Sequence, residues 1–294
     1  MAVGCEFEDS ETERIVNAPG RSFLGHLAPS LIPHYPYRGP EQFLLDFERE
    51  YNPSEQADHW FVLTGVTQRV FDEQFSEPES GPFSRGRAFD PHLQRLLIAM
   101  PESRVHGDAA IAFLQMVDRA TRAVGMEYGL AQSGSGSFES ATMGTKQPDM
   151  AWQPMRIDPS RDNHWPSMVL EVALSERQAK LQSDIRWWFL APPPDGVVNI
   201  VLTLRINQNK EEIVIDKWEK STATDRAHLE QRVVVSRSQR AGNVTINGAA
   251  LIIGFEKLFL RPPLTPEEVD LQLNDWKLQF IAERIWRRQW LDAH

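Results

Sequence analysis

At 294 residues, with 41% hydrophobic and 24% charged side chains, the chain can bury a full core, and its composition excludes wholly disordered, collagen-like and disulfide-rich classes. Its net charge of −10 is uneven: residues 1–60 carry −7 from eleven acids and four bases, and the other 234 residues share −3. That balance argues against indiscriminate duplex binding, which needs phosphate neutralisation, but leaves room for a local basic groove.

The N-terminus, MAVGCEFEDSETE, is acidic where a signal peptide is basic and then apolar. Its Cys5 is the single cysteine, so neither an intramolecular disulfide nor a cysteine-based zinc site can form. No apolar run approaches the ~20 residues of a membrane span; the longest, around Ala249–Phe255, is strand-sized. The expectation is a soluble intracellular protein, cytoplasmic or nuclear, with no membrane partner. Residues 1–40 read as an acidic tail and a Pro/Gly-rich arm, 41–264 as one α/β domain, and 265–294 as a basic, aromatic C-terminal helix.

Pro40–Tyr51 has Phe43, Leu44 and Phe47 at helical spacing, and Asp58–Phe75 predicts a helix or a strand followed by a helix. Glu77–Arg87 is a break rich in Ser, Gly and Pro. Gly107–Val124 is a helix by pattern, with Ala109, Phe113, Met116, Val117 and Ala120 on one face. A small-residue loop, Gln132–Ser137, and a short strand, Phe138–Met143, follow it. Trp165–Leu174 alternates as a strand and Glu176–Leu190 reads as a helix. Val197–Ile206 and Glu212–Trp218 are strands joined by an Asn-Gln-Asn-Lys turn. Three more strands are expected at Arg232–Ser236, Asn243–Ile246 and Ala249–Phe259. Thr265 then caps the last helix, with Pro266 at its first position and Glu268 completing a capping box, and the helix runs to about Trp290. The order of elements from Gly107 to Trp218 predicts an α/β core, a mixed sheet flanked by helices. The later strands either extend that sheet or form a small appendage.

Within the core, Lys146-Gln147-Pro148-Asp149 precedes Glu171, which lies 22 residues beyond Asp149 and is the only acid in the strand Met168–Leu174. A carboxylate among Val169, Leu170, Val172 and Ala173 is costly to bury, so it needs a cation, a metal or a hydrogen-bond donor. Alternation sets Glu171 on the opposite face from Leu170 and Val172. A plainer reading of the same residues has Asp149 capping local backbone in a Pro-Asp turn and Glu171 bridged to Arg186.

Pro148-Asp149, Glu171-Val172-Ala173 and the following Ser175-Glu176, Leu181, Asp184 and Trp187-Trp188 resemble the PD-(D/E)xK superfamily of restriction-endonuclease-like proteins. The likeness is nearest to fungal members and more distantly to the Uma2-type branch, and it covers about Gly107–Trp218. It implies a restriction-endonuclease-like fold with N-terminal helical additions and a C-terminal β extension plus helix. It also implies phosphodiester hydrolysis of nucleic acid, DNA or RNA, with Asp149 and Glu171 holding Mg²⁺ or Mn²⁺ as hard carboxylate ligands. The family's lysine, two residues beyond the Glu, is Ala173 here. Lys146, Lys180 or Arg186 is the expected substitute, Lys146 first, from a neighbouring strand. The helix Gly107–Val124 is expected to add Asp108 or Asp118. The missing lysine keeps two further readings open. One is a repurposed member that binds RNA such as charged tRNA and performs group transfer or cyclisation, as a tRNA-dependent cyclodipeptide-type synthase does. The other is a degenerate binding module.

The C-terminal stretch Trp276–Trp290 carries Lys277, Arg284, Arg287 and Arg288 against Glu283, interleaved with Trp276, Trp286 and Trp290. Cations beside aromatic platforms suit nucleic acid. The same spacing also describes a packing face with solvated arginines. The eight histidines form no metal-binding pair by spacing, and His106 and His164 are the two placed to reach the site.

Overall fold

The computed structural model describes residues 15–16, 24–25, 27, 29, 32–51, 60–76, 81–100, 103–134, 136–174, 178–221, 226–238 and 242–294. Cys5, most of the acidic tail and the Ser175-Glu176 pair lie outside these residues. The first elements are β1 (Ile15–Val16), β2 (His34–Pro36), α1 (Pro40–Glu50), β3 (Trp60–Thr64) and α2 (Gln68–Gln74). They are followed by β4 (Gly86–Asp90), β5 (Arg95–Ala99), α3 (Arg104–Ala123), β6 (Leu130–Ser133), β7 (Phe138–Ser140) and β8 (Gly144–Lys146). The central group is β9 (Met150–Pro154), β10 (Met168–Leu174), α4 (Gln178–Leu190), β11 (Ile200–Ile206) and β12 (Glu212–Lys220). The chain closes with β13 (Ala227–Arg237), β14 (Val244–Asn247), β15 (Leu251–Ile253), α5 (Phe255–Phe259), β16 (Leu271–Leu273) and α6 (Asp275–Ala293).

These elements form a mixed α/β fold with two large mixed sheets. The eight-stranded sheet runs β1-β13-β12-β11-β10-β9-β6, with β14 also paired to β13. Only β10 and β11 in it are parallel, and α4 is the crossover that parallel neighbours require. The later strands β12, β13 and β14 therefore extend the sheet, whereas β15 and β16 form a separate two-stranded ribbon. The second sheet, β2-β3-β5-β4-β8-β7, has six strands.

Alternation explains the layers. Leu170, Val172, Leu202 and Leu204 face one core shared with α3, α5 and α6, while Val169 and Val201 face another shared with α4. Val62, Ala88 and Leu97 of the six-stranded sheet close that second core from the far side. Phe61, Leu63, Phe89 and Ile98, pointing the other way, pack on Phe43 and Phe71 of α1 and α2. The order is thus helices, large sheet, α4, small sheet, helices. Enclosed between two sheets, α4 buries Leu181, Ser183, Asp184, Ile185, Trp187, Trp188 and Phe189, too many for a one-faced surface helix.

Three stretches depart from the sequence expectation. The N-terminal region carries a whole sheet rather than helical additions alone. Runs such as Trp60–Leu63 are apolar throughout because both faces are covered, and short runs of that kind do not declare their period. The strand expected over Ala249–Phe259 stops at Ile253, and Phe255, Leu258 and Phe259 bury at helical spacing in α5. The last helix begins at Asp275 rather than at Thr265. Glu268 does not close a capping box; it pairs with both terminal nitrogens of Arg261 at 2.7 Å and accepts from the Leu264 amide, and Leu271 and Leu273 alternate into the core as a strand.

The short strand β8 deserves its place in the small sheet to Gly144. Its φ of 73° is left-handed, and a Cβ built there would lie 1.9 Å from the Phe89 carbonyl oxygen of β4. Gly144→Ala should therefore cost more than the ~1–3 kcal/mol of left-handed strain alone, because the backbone of β4 must also move. Thermal unfolding followed by circular dichroism checks this, and an unchanged midpoint would mean that β8 does not seat against β4.

Candidate functional site

The three residues Gln147–Asp149 carry the chain from β8 in the small sheet to β9 in the large one. Lys146 ends β8 in register with Ala88, whose side chain faces the core between the sheets, so Lys146 points inward towards the large sheet. Glu171 sits at the middle of β10, on the face it shares with Val169. The two meet: the Lys146 ammonium lies 2.9 Å from Glu171 Oε1 and 3.1 Å from Asp184 Oδ1 on α4. Trp188 Nε1 donates to the same Glu171 oxygen at 2.5 Å. Lys180 completes the chain of charges, with Nζ 2.6 Å from Asp184 Oδ2 and 4.3 Å from the centre of the Trp60 ring. Lys146 thus stands on the facing sheet, not on a neighbouring strand of the same sheet.

Asp149 stands just before β9, at the end of the β9–β10 pairing. Its Oδ2 accepts from the Val172 amide at 2.6 Å and its Oδ1 lies 3.1 Å from His106 Nε2, in the first turn of α3. Asp149 therefore ties β10 to α3 instead of capping its own turn, and Glu171 is bridged by Lys146 instead of Arg186. Arg186, two positions past Asp184 and so on the opposite side of α4, is half-buried, and burial lowers its pKa.

Burial and charge pull these groups apart. Burial pushes the Glu171 carboxyl up to about 7; Lys146 opposes the shift, and the charges of Asp184 and Asp149 add to it. Burial also works against the charge on Asp149, but His106, Arg87 and the Val172 amide outweigh it and hold Asp149 below the usual carboxylate range. Asp184 is likewise lowered, with Lys146 and Lys180 prevailing over burial. For Lys146, burial favours the neutral amine, yet Asp184 and Glu171 together raise it above its ordinary value.

Asp184 and Trp188 stand among the residues that carry the family resemblance, but the sequence reading gave them no role in the site. The available signal was Lys180 and Asp184 four apart on a helix that also carries Leu181, Ile185, Trp187 and Trp188. Asp108 and Asp118 do not join the cluster: Asp108 pairs with Arg288 at 2.7 Å, and Asp118 accepts from Gln132. His164 is exposed.

The C-terminal cations are divided. Lys277 is buried and donates to the Gln272 carbonyl oxygen, and Arg288 is held by Asp108. Arg284 is half-buried, while Arg287 is exposed. Trp286 belongs to the core; Trp276 and Trp290 are exposed, the former flanked by Arg119 and Lys277.

No family model matches the chain, and no curated protein matches it either. Among solved structures it is similar to a crystal structure from Anabaena variabilis ATCC 29413, described as a candidate nuclease belonging to DUF820. The identity is 10%, the match covers 73% of this chain and 98% of that chain, and the TM-score is 0.37.

The raised Glu171 value sets a sign for stability. Between its ordinary 4.5 and about 7, the folded chain keeps a proton that the unfolded chain has released. Its contribution is therefore full below pH 4.5 and lost as pH rises to about 7. Glu171→Gln should flatten that decline, which urea midpoints measured from pH 5 to pH 8 would reveal. A profile parallel to that of the wild type would contradict the burial of this carboxyl.

Proposed function

We propose that the chain is a divalent-metal-dependent enzyme that hydrolyses phosphodiester bonds in nucleic acid, with Asp149, Glu171 and Lys146 as its working set. The observation that carries this reading is the Lys146 ammonium 2.9 Å from Glu171, since it offers a lysine to that carboxylate although Ala173 stands at the position where the resembled family has one. Asp149 is held to the amide of Val172, the residue after Glu171, and its charge acts on both Glu171 and Lys146.

The donor chemistry suits a magnesium-type ion. Among the described residues no three His, Cys, Asp or Glu side chains form a ready cage. Such ions characteristically take only one or two carboxylates and keep several waters, which Asp149 and Glu171 can supply for. When bound, the ion would neutralise phosphate charge and acidify a water. Asp149, held below the usual range, presents a permanent negative charge. Lys146, with three donors, can orient a water beside Glu171. Trp188 and the rest of α4 keep bulk water away from that carboxylate.

One observation favours a second reading. Glu171 is 2% exposed and Lys146 3%, so the pair would serve equally as the internal brace of a nucleic-acid-binding module.

Incubation of the protein with single- and double-stranded DNA and RNA separates the two. Cleavage should require Mg²⁺ or Mn²⁺ and stop with chelator. Glu171→Gln and Asp149→Asn should each abolish it, and the double change should cost little more than either, since both act through one ion. Lys146→Met should slow turnover by about 10²–10⁴-fold while Mg²⁺ binding, read by calorimetry, persists. Nucleic acid bound but uncut at any metal concentration would establish the second reading.

A further inference from the structure

Helix α4 sets two polar side chains, Asp184 and Trp188, one turn apart on the face that meets Glu171 and Lys146. Asp184 takes the Lys146 ammonium at 3.1 Å. Trp188 meets both members of the pair. Its Nε1 donates to Glu171 Oε1 at 2.5 Å, and Lys146 Nζ stands over its ring, 5.6 Å from the centre. That distance is within reach of a cation–π attraction. The indole is itself fixed: it is fully buried, with Trp187 edge-on at 4.8 Å and Phe138 of β7 edge-on at 5.4 Å between ring centres.

Packing alone does not call for that hydrogen bond. Trp152 and Trp286 are buried in the other core with Nε1 groups that find no acceptor among the described residues, so an indole in this chain can fill space without one. Trp188 instead directs its donor to the oxygen that Lys146 also approaches, at 2.9 Å. A carboxylate accepts through both of its oxygens. Here both donors gather on Oε1, and no hydrogen bond from a described residue reaches Oε2. A buried carboxylate oxygen without a donor is costly, and a hard cation is a ligand that removes the cost. Pinning Oε1 also decides which oxygen stays open, because the glutamate side chain can no longer turn about its own bonds.

We propose that Trp188 is a positioning residue: it holds Glu171 by Oε1 so that Oε2 stays open to a divalent cation, and it keeps Lys146 beside that carboxylate. The assignment rests on the metal-dependent reading above, but it concerns binding of the ion and needs no cleavage.

The test is isothermal calorimetry of Mg²⁺ and Mn²⁺ binding to the full chain, with circular dichroism confirming the fold of each variant. Trp188→Phe keeps an aromatic ring but removes the donor, and should weaken affinity for both ions by about 10–100-fold, as loss of a group behind a metal ligand typically does. Phe138→Leu loosens the same packing and removes no hydrogen bond; its melting temperature should fall while its ion affinity stays that of the wild type. In the wild type, saturation with Mg²⁺ should shift a slowly exchanging indole N–H signal in a ¹⁵N spectrum, a reading that needs no variant. A folded Trp188→Phe protein with wild-type affinity would overturn the proposal, and so would slowly exchanging indole signals that Mg²⁺ leaves in place. Equal losses of affinity in Trp188→Phe and Phe138→Leu would also overturn it, since packing would then account for both. If Trp188→Phe loses affinity while the wild type cleaves no nucleic acid, the positioning role stands and the hydrolytic reading falls. Cleavage by a wild type whose ion affinity does not depend on Trp188 gives the opposite result. A wild type that binds neither ion overturns both.

Discussion

A carboxylate buried between two sheets is the constraint around which this structure is organised. Moving an unpaired carboxylate out of water costs several kcal/mol, a large part of the ~5–15 kcal/mol that stabilises a typical domain. Glu171 therefore requires a cation; Lys180 of α4 is held by Asp184, and Arg205 of the large sheet is held by Asp216. The cation comes from the opposite layer, at the end of β8. Lys146 binds Glu171 and Asp184 together, so one ammonium joins the small sheet, the large sheet and the helix between them. Removing one member of such a buried pair typically costs about 3–5 kcal/mol. Here that loss would fall on the contact that seats the two sheets.

The segment that makes this possible is three residues long. Gln147, Pro148 and Asp149 leave β8 and enter β9, and Pro148 favours the extended backbone that the crossing needs. Gln147 accepts from Arg87 of β4, holding the start of the crossing to the small sheet. Asp149 accepts from Val172 of β10, holding its end to the large one. The Pro-Asp pair is thus a bridge between layers. Its aspartate lies near Glu171 because both sheets meet there, not because of local turn geometry.

Much of this was legible from the sequence, for identifiable reasons. Alternation in Met168–Leu174 and Val197–Ile206 marks strands in the large sheet and sets Glu171 on its own face, and the one-sided apolar pattern of Gly107–Val124 marks α3. Local patterns of that kind depend on one element against one core. The small sheet was legible only in pieces, as the strand-then-helix option over Asp58–Phe75 and the short strand from Phe138, since both faces of β3 and β5 are buried and their runs lose the alternation that identifies a strand. The approach of Lys146 from that sheet is a long-range fact that no spacing records. At the C-terminus, Pro266 and Glu268 carry the local signature of a helix start, but the Arg261 guanidinium draws Glu268 away and tertiary packing of Leu271 and Leu273 prevails. A Trp-and-Arg pattern in α6 likewise concealed two roles, since Trp286 packs inward while Trp276 and Trp290 remain exposed.

The same burial that shapes the fold gives the two carboxylates different chemistry. Asp149 keeps 11% of its side chain exposed and is surrounded by donors: the Val172 amide, His106 and the charge of Arg87. It holds its proton weakly. Glu171 is nearly sealed, shares its lysine with Asp184, and titrates at about 7. Two acids whose environments push their values apart are suited to different tasks at neutral pH, one remaining charged and the other able to exchange a proton. In the proposed hydrolysis, Asp149 would be the constant electrostatic anchor and Glu171 the group whose charge depends on what lies beside it. A cation near Glu171 competes with its proton, so a ligand that brings positive charge also releases a proton from the interior. The division arises from position alone, since Glu171 projects from the middle of a central strand into the layer with α4, while Asp149 stands where the chain passes between sheets.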